Sequence, residues 1–188
     1  KYANGDVYKG DWENGQKHGT GIYKYANGGV YQGDWKDGKF HGKGIHINNE
    51  GHFYEGDWYN EKRHGKGILK FIKGDIYDGN WKDGKYHKGI FTWANGEVYK
   101  GDWKDDKRHG KGIYTWTNGE VYKGDWKDGK RHGNGTFKCG TGLNEIVYEG
   151  DFQDGKFHGK AIHNYVTESV YASTTWRVLN AEFQDLFL

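Results

Sequence analysis

The sequence predicts an all-β fold: an elongated, single-layer antiparallel meander of stacked hairpins, solenoid-like, with a short C-terminal helix. Three observations carry this. One line recurs seven times in 188 residues, in its fullest form Tyr-x-Gly-Asp-Trp-x-Asx-Gly-x-x-His-Gly-x-Gly. Its anchoring tyrosines are Tyr8, Tyr31, Tyr54, Tyr77, Tyr99, Tyr122 and Tyr148, spaced by 23, 23, 23, 22, 23 and 26 residues. A fixed period of this length marks an array in which each unit packs on its neighbours. Turn signals stand at two fixed places in the period. The chain also holds 33 glycines and no proline, so glycine makes the turns and no ladder hydrogen bond is interrupted.

Each period opens with a short aromatic strand, exemplified by Val30-Tyr31-Gln32-Gly33-Asp34-Trp35. Side chains alternate faces, so Tyr31, Gly33 and Trp35 share one face and Gln32 and Asp34 the other. The first turn signal follows: Asn14-Gly15, Asp37-Gly38, Asp83-Gly84, Asp128-Gly129 or Asp154-Gly155. The second strand is exemplified by His41-Gly42-Lys43-Gly44-Ile45-His46, and the second turn by Asn4-Gly5, Asn27-Gly28, Asn95-Gly96 and Asn118-Gly119. Asx-Gly pairs accept the positive φ of a type I′ turn, which suits antiparallel hairpins, and the same turn type is expected at both places.

All seven units place glycine between the tyrosine and the tryptophan: Gly10, Gly33, Gly56, Gly79, Gly101, Gly124 and Gly150. Glycine weakens a strand unless the missing side chain makes room. Large rings are therefore expected over these positions, where they supply most of the buried apolar area. Hydrophobic residues are 34% of the chain and aromatic residues 18%. So few aliphatic side chains argue against a two-layer sandwich and for a single sheet, apolar mainly on one face.

Three places depart from the pattern. The fourth unit reads His87-Lys88-Gly89-Ile90 and lacks one residue of the His-Gly-x-Gly run, which predicts a local bulge or bend. The third and fifth units carry Glu61 and Asp106 at the turn glycine, predicting wider turns. The seventh has Phe152 for tryptophan, and the insertion Lys138–Val147 before it is expected to loop out. The array is read as residues 1–163 and the tail as 164–188. From Thr174 onward glycine vanishes, and Trp176, Leu179, Phe183 and Leu186/Phe187 follow helical spacing. The predicted amphipathic helix either caps the open sheet edge or fills a groove, or it binds a partner or a second copy of the chain.

The repeated line resembles the MORN repeat (membrane occupation and recognition nexus). The family pattern Tyr-x-Gly-x-Trp-x-x-Gly-x-x-His-Gly-x-Gly is matched by residues 31–44, 8–21 and 122–135, and the likeness covers residues 1–163. The resemblance implies stacked hairpins and a scaffolding role between proteins or at membranes, commonly at the cytoskeleton, the cilium or membrane junctions. In some relatives the array regulates an attached lipid kinase or methyltransferase. The chain begins mid-repeat at Lys1-Tyr2-Ala3-Asn4-Gly5 and has no methionine, which predicts a piece of a longer array. Nothing in it reads as a signal peptide or a transmembrane span.

Catalysis finds little material. Seven of the ten histidines occupy one repeat position (His18, His41, His64, His87, His109, His132, His158). Equivalent residues of successive units lie about 10 Å apart, two strand spacings, which is too far to share one ion. They are read as structural, with no metal and no cofactor. The recurrent Asp11, Asp34, Asp57, Asp102, Asp125 and Asp151 form a ladder rather than a catalytic pair, with Lys or His as cross-strand partners. The only serines, Ser169 and Ser173, lie in the tail. Nothing marks the lone Cys139 as a thiolate, and a single cysteine suits a reducing, cytoplasmic setting. The Gly-x-Gly runs lack the following helix that a phosphate loop needs. The chain is read as no enzyme.

Two surfaces are the candidates for binding. The first is the aromatic face, with Tyr31, Trp35, Tyr54, Trp58, Tyr77, Trp81, Tyr99, Trp103, Tyr122 and Trp126 expected to line a groove for a peptide or helix. The second is a positive edge of Lys39, Lys62, Arg63, Lys85, Lys107, Arg108, Lys130 and Arg131. Such an edge suits anionic lipid headgroups, phosphoinositides among them. Tail contacts are assigned to Trp176, Leu179 and Phe183, and dimerisation through terminal repeats or tail is an alternative use of the ends. The formal charge of +2 and the lack of a single-strand-binding motif point away from nucleic acid.

Overall fold

The computed structural model describes residues 1–140, 146–165 and 177–179, with side chains described for 1–140 and 146–158. The chain divides into two compact units, Lys1–Ala94 and Asn95–Leu188. The first holds β1 (Val7–Glu13), β2 (Gln16–Lys24), β3 (Val30–Lys36), β4 (Lys39–Ile47), β5 (Phe53–Tyr59), β6 (Lys62–Lys70), β7 (Ile76–Lys82) and β8 (Lys85–Thr92). Each pairs antiparallel with the next in chain order. The second unit repeats this with β9 (Val98–Lys104), β10 (Lys107–Thr115), β11 (Val121–Lys127), β12 (Lys130–Cys139), β13 (Ile146–Gln153), β14 (Lys156–Tyr165) and β15 (Arg177–Leu179). The all-β hairpin meander read from the period is what forms.

At Arg177–Leu179 the tail departs from its expected helix. Arg177–Leu179 runs extended against Ala161–His163. An open strand edge offers unpaired N–H and C=O groups, and a passing segment that satisfies them is held as a strand. The remainder of the expected helix, with Trp176 and Phe183, lies outside the described residues. The insertion Lys138–Val147 loops out less than its length suggests, because the ladder continues through Lys138↔Val147 and Cys139↔Ile146.

The two turn positions are built differently. At the first, both turn residues have positive φ, 50° at Asp37 and 79° at Gly38, the signature of a two-residue type I′ turn. Asn60-Glu61 (47° and 66°) and Asp105-Asp106 (51° and 58°) adopt the same turn. Tyr59↔Lys62 and Lys104↔Lys107 stay directly paired, so these turns are not wider. Strand register fixes the gap at two residues and forces Glu61 and Asp106 into the left-handed region. Glu61→Gly and Asp106→Gly should each therefore stabilise their unit by about 0.5–1 kcal/mol, read from the urea midpoint. At the second turn position only the glycine is left-handed, with φ 96° at Gly28. The Gly28 N–H donates to Tyr25 O at 3.1 Å and the Tyr25 N–H to Gly29 O at 2.9 Å. That is a three-residue loop with a glycine bulge, not the type I′ turn expected there.

The conserved-looking His-Gly-x-Gly run of this array is itself a bulge. In β3–β4 the pairs are Gly33↔Gly44 and then Asp34↔His41, leaving Gly42 and Lys43 out of that ladder. Both instead pair with the next hairpin, as Gly42↔Trp58 and Lys43↔Asp57. Gly42 has φ 57°, and the Lys43 N–H donates to Asp34 Oδ2 at 2.7 Å. The fourth unit keeps the bulge expected of it, but a smaller one than its neighbours. Its deletion shrinks the bulge to the single residue His87, between Asn80↔Lys88 and Trp81↔Tyr86. Asn80 accordingly stands where other units need the carboxylate.

Hairpins are also tied to their predecessors. The turn amide of Gly38 donates to Lys17 O, Glu61 to Phe40 O, Gly84 to Arg63 O, Gly129 to Arg108 O and Gly155 to Arg131 O, all at 2.9–3.0 Å. At the opposite end the Ala26 N–H donates to Asp6 Oδ1 at 2.7 Å and the Ala94 N–H to Asp75 Oδ1 at 2.8 Å.

Candidate functional site

The aromatic face is built in two layers. Its floor is the Tyr/Trp pair of each unit. Each tyrosine hydroxyl donates to the backbone carbonyl three residues on, as in Tyr31 to Asp34 O and Tyr54 to Asp57 O, both at 2.9 Å. In the first six hairpins the ring covers the second glycine of its own hairpin: a Cβ on Gly67 would come within 2.6 Å of Tyr54 Cζ. The glycine between Tyr and Trp has another reason, because a Cβ on Gly56 would strike Gly67 Cα at 2.5 Å. The ring thus lies mainly over the glycine of the second strand, and its hydroxyl also reaches the first, where a Cβ on Gly56 would lie 2.7 Å from Tyr54 Oη. The tryptophan reaches back to the preceding hairpin, where the indole N–H donates to Gly21 O from Trp35 (3.2 Å), to Gly44 O from Trp58 (3.1 Å) and to Gly112 O from Trp126 (3.3 Å). Tyr31 stands edge-on to both Trp35 and Trp58, at 5.2 and 5.5 Å.

This packing corrects the groove expected from the sequence. Tyr31, Tyr54, Tyr77, Tyr99 and Tyr122 are 0–1% exposed, and Trp35, Trp58, Trp81, Trp103 and Trp126 are 3–8% exposed. The ten rings are the core. They lie between hairpins because each unit can bury its apolar face only on its neighbours. Burial also pushes the hydroxyls of Tyr31, Tyr54, Tyr99 and Tyr122 well above their ordinary range.

The accessible layer lies above that floor. Phe40 stacks on Tyr31 at 3.7 Å and Tyr86 on Tyr77 at 4.1 Å. Trp93 packs on Phe91 at 4.6 Å, Trp116 on Tyr114 at 4.5 Å and Phe157 on Phe152 at 5.2 Å. Phe40, Phe71, Tyr86, Trp93, Trp116 and Phe157 are all half-buried. Sequence reasoning missed this layer. The signal was the two-residue turn, which sets the residue five after each tryptophan directly opposite it, as in Trp35↔Phe40 and Trp81↔Tyr86.

The same register splits the expected positive edge. Arg63, Arg108 and Arg131 fall opposite tryptophan or beside it on the aromatic face. Arg63 lies 4.8 Å over Trp81, Arg108 4.4 Å over Trp126, and Arg131 5.3 Å over Phe152. Arg108 Nη2 donates to Gly129 O at 2.8 Å and Arg131 Nη2 to Gly155 O at 2.5 Å. Lys39, Lys62, Lys85, Lys107 and Lys130 are exposed on the opposite face. Lys62 and Arg63 are consecutive strand residues, and consecutive residues point opposite ways.

The histidines and aspartates join hairpins. His64 Nδ1 lies 3.9 Å from Asp83 Oδ1 and His109 Nδ1 3.8 Å from Asp128 Oδ1, each on the next turn. Among the described residues no three His, Cys, Asp or Glu side chains converge on a metal site. Burial, with Glu120 adding to it, pushes the Cys139 thiol up, away from thiolate chemistry. Asp57 pairs with Lys43 Nζ and accepts the Lys66 N–H at 2.9 Å. Burial works to raise this carboxyl, but Lys43 and the Lys66 amide outweigh it and hold the group below the usual carboxylate range. A carboxyl depressed on folding adds stability above its unfolded value of about 3.9, and that stability is lost as pH falls through the folded value. The melting temperature should therefore fall from about pH 5 to about pH 2, and Asp57→Asn should flatten part of that slope.

Of the tail contacts, Leu179 is placed by its backbone opposite Ala161; Trp176 and Phe183 lie outside the described residues. Among those residues no helix is long and apolar enough to cross a membrane.

No curated protein matches the chain. The family model of the MORN repeat matches residues 8–30, 31–52, 54–76, 77–98, 99–121, 122–143 and 148–167. Each match begins at an anchoring tyrosine, and repeats of this kind typically form non-catalytic scaffolds that often contact proteins or membranes. With seven matches across most of its length, each one a hairpin of the observed meander, the chain belongs to the MORN repeat family.

Proposed function

We propose that this chain is a non-enzymatic repeat scaffold that holds a protein segment, peptide or helix, against its aromatic face. The observation that carries the reading is the second layer: half-buried rings and stacked arginines resting on a sealed floor. Aromatic and arginine side chains dominate binding hot spots, and a floor locked by edge-on packing presents them without an ordering penalty. In the first unit the contacts are Phe40, Phe71, Tyr86, Trp93 and Arg63; in the second they are Trp116, Phe157, Arg108 and Arg131. A linking role at cytoskeletal, ciliary or membrane-associated structures belongs to the same reading.

The test is a partner captured from native lysate and then titrated against purified variants. Trp93→Ala and Trp116→Ala should each weaken binding by about tenfold or more while leaving the fold intact, since both rings lie above the floor. Unchanged affinity in both variants would remove the aromatic face as the binding surface.

A further inference from the structure

Along the strand order the accessible aromatic layer is periodic. One wall is the row of residues paired with each tryptophan, one per hairpin: Lys17, Phe40, Arg63 and Tyr86 in the first unit. In the second unit the same row reads Arg108, Arg131 and, opposite Phe152, Phe157. The other wall is the ring just past the second strand, Phe71 and Trp93 in the first unit and Trp116 in the second. Every one of these wall residues is half-buried. Between the walls lie buried rings, Phe91 at 4.6 Å from Trp93 and Tyr114 at 4.5 Å from Trp116.

Neighbouring hairpins of one unit are two strand spacings apart, about 9.6 Å. A segment lying across the strands meets each hairpin alike only if its own same-face repeat matches that step. An extended strand returns to one face at about 6.6 Å, and a helix at its i, i+7 positions at about 10.5 Å. Polyproline II returns every three residues, a rise of about 9.3 Å. Over the three steps of the first unit a helix drifts by about 2.7 Å and polyproline II by about 0.9 Å. Aromatic-lined grooves suit this helix, because it is preformed and loses little entropy on docking. We propose that the trough of each unit binds a proline-rich segment in polyproline II form, with one proline in three on its rings and acidic residues toward the Lys/Arg wall. This rests on the aromatic-face reading above and narrows it to one class of segment. These 188 residues hold no proline and cannot supply it themselves.

Charge complementarity sets the sign of the segment. The cations lie inside the trough, Lys17 4.1 Å over Trp35, Arg63 4.8 Å over Trp81 and Arg108 4.4 Å over Trp126. The acids of this face are turned to groups of the fold. Asp6 accepts the Tyr23 hydroxyl at 2.6 Å and the Ala26 N–H at 2.7 Å, Asp75 the Ala94 N–H at 2.8 Å, and Glu97 the Tyr114 hydroxyl at 2.6 Å. Burial disfavours the charge on Arg108 and Arg131, and Glu97 and Glu120 are among the groups that only partly offset it. An incoming carboxylate makes up the difference, since a guanidinium that gives one N–H to a backbone carbonyl still has others to donate.

The experiment titrates the full chain, by fluorescence anisotropy, against a labelled peptide of repeating Pro-Pro-Glu. Repeating Ala-Ala-Glu keeps the charge and its spacing in a helix-forming backbone, and a shuffled peptide keeps the composition with its glutamates in adjacent pairs. The Pro-Pro-Glu peptide should bind at least about tenfold more tightly than either, because only it sets a ring contact and a carboxylate on every hairpin. Repeating Pro-Pro-Gln should bind about threefold or more weakly than Pro-Pro-Glu. Trp93→Ala combined with Trp116→Ala should weaken the Pro-Pro-Glu peptide about tenfold, and the two Trp→Phe changes, which keep a ring and the fold, should restore most of it. Equal binding of the Ala-Ala-Glu or shuffled peptide, or full binding by the double alanine variant, overturns the proposal. A captured partner that loses affinity in the tryptophan variants while the proline peptide fails to bind overturns this inference alone and leaves the aromatic-face reading standing. A partner unaffected by both variants removes that reading and this inference with it.

Discussion

Trp58→Ala should destabilise the unit Lys1–Ala94 by about 3–5 kcal/mol, read from chemical denaturation followed by the remaining tryptophan fluorescence. Trp58 is 6% exposed, lies edge-on to Tyr54 at 5.0 Å and to Phe40 at 5.3 Å, and donates to Gly44 O in the preceding hairpin. Truncation leaves a void between two hairpins and a carbonyl without its donor. In an array each interface term counts separately, so losing one should uncouple β3–β4 from β5–β6 and broaden the transition. Trp58→Phe keeps a ring and loses only the N–H, and about 1–2 kcal/mol is expected. The seventh unit supports that milder outcome: Phe152 is 2% exposed and packs on Tyr122 at 4.8 Å. A loss under about 1 kcal/mol for the alanine variant would mean the rings do not hold hairpins together.

Gly44→Ala is the second large effect, with an expected loss of about 2–3 kcal/mol in the same measurement. The added methyl would lie within 2.7 Å of Tyr31 Cζ. That ring is 0% exposed and stacked on Phe40 at 3.7 Å, so it has nowhere to retreat. Gly129→Ala is the useful contrast. Its methyl would meet nothing within 4 Å, leaving only the strain of φ 87°, roughly 1 kcal/mol. If both substitutions destabilise alike, backbone conformation rather than ring packing explains the strand glycines.

The repeat, the hairpin order and the antiparallel meander were all legible in the residues, because a fixed period and Asx-Gly turns are local signals. The aromatic residues were legible as structure-bearing but not as core or surface. Tyr31 and Phe40 look alike in a strand pattern, yet one is sealed beneath the other. The basic run Lys62-Arg63 read as one edge until register put its two members on opposite faces. Asp34 was legible as structural through a side-chain partner. Its main bond proved to be to a backbone amide, Lys43 N–H, which only the bulge brings near.

By itself the sequence determined that seven like hairpins follow one another and that they belong to one family, since periodicity and turn chemistry survive without knowledge of any long-range contact. The tertiary structure decided which rings are buried, which glycine holds a ring, and where each cation points. Those outcomes depend on register across the two-residue turn and on the bulge that passes Gly42 and Lys43 to the next hairpin. A shift of one residue there exchanges the faces, and no single strand's composition encodes it.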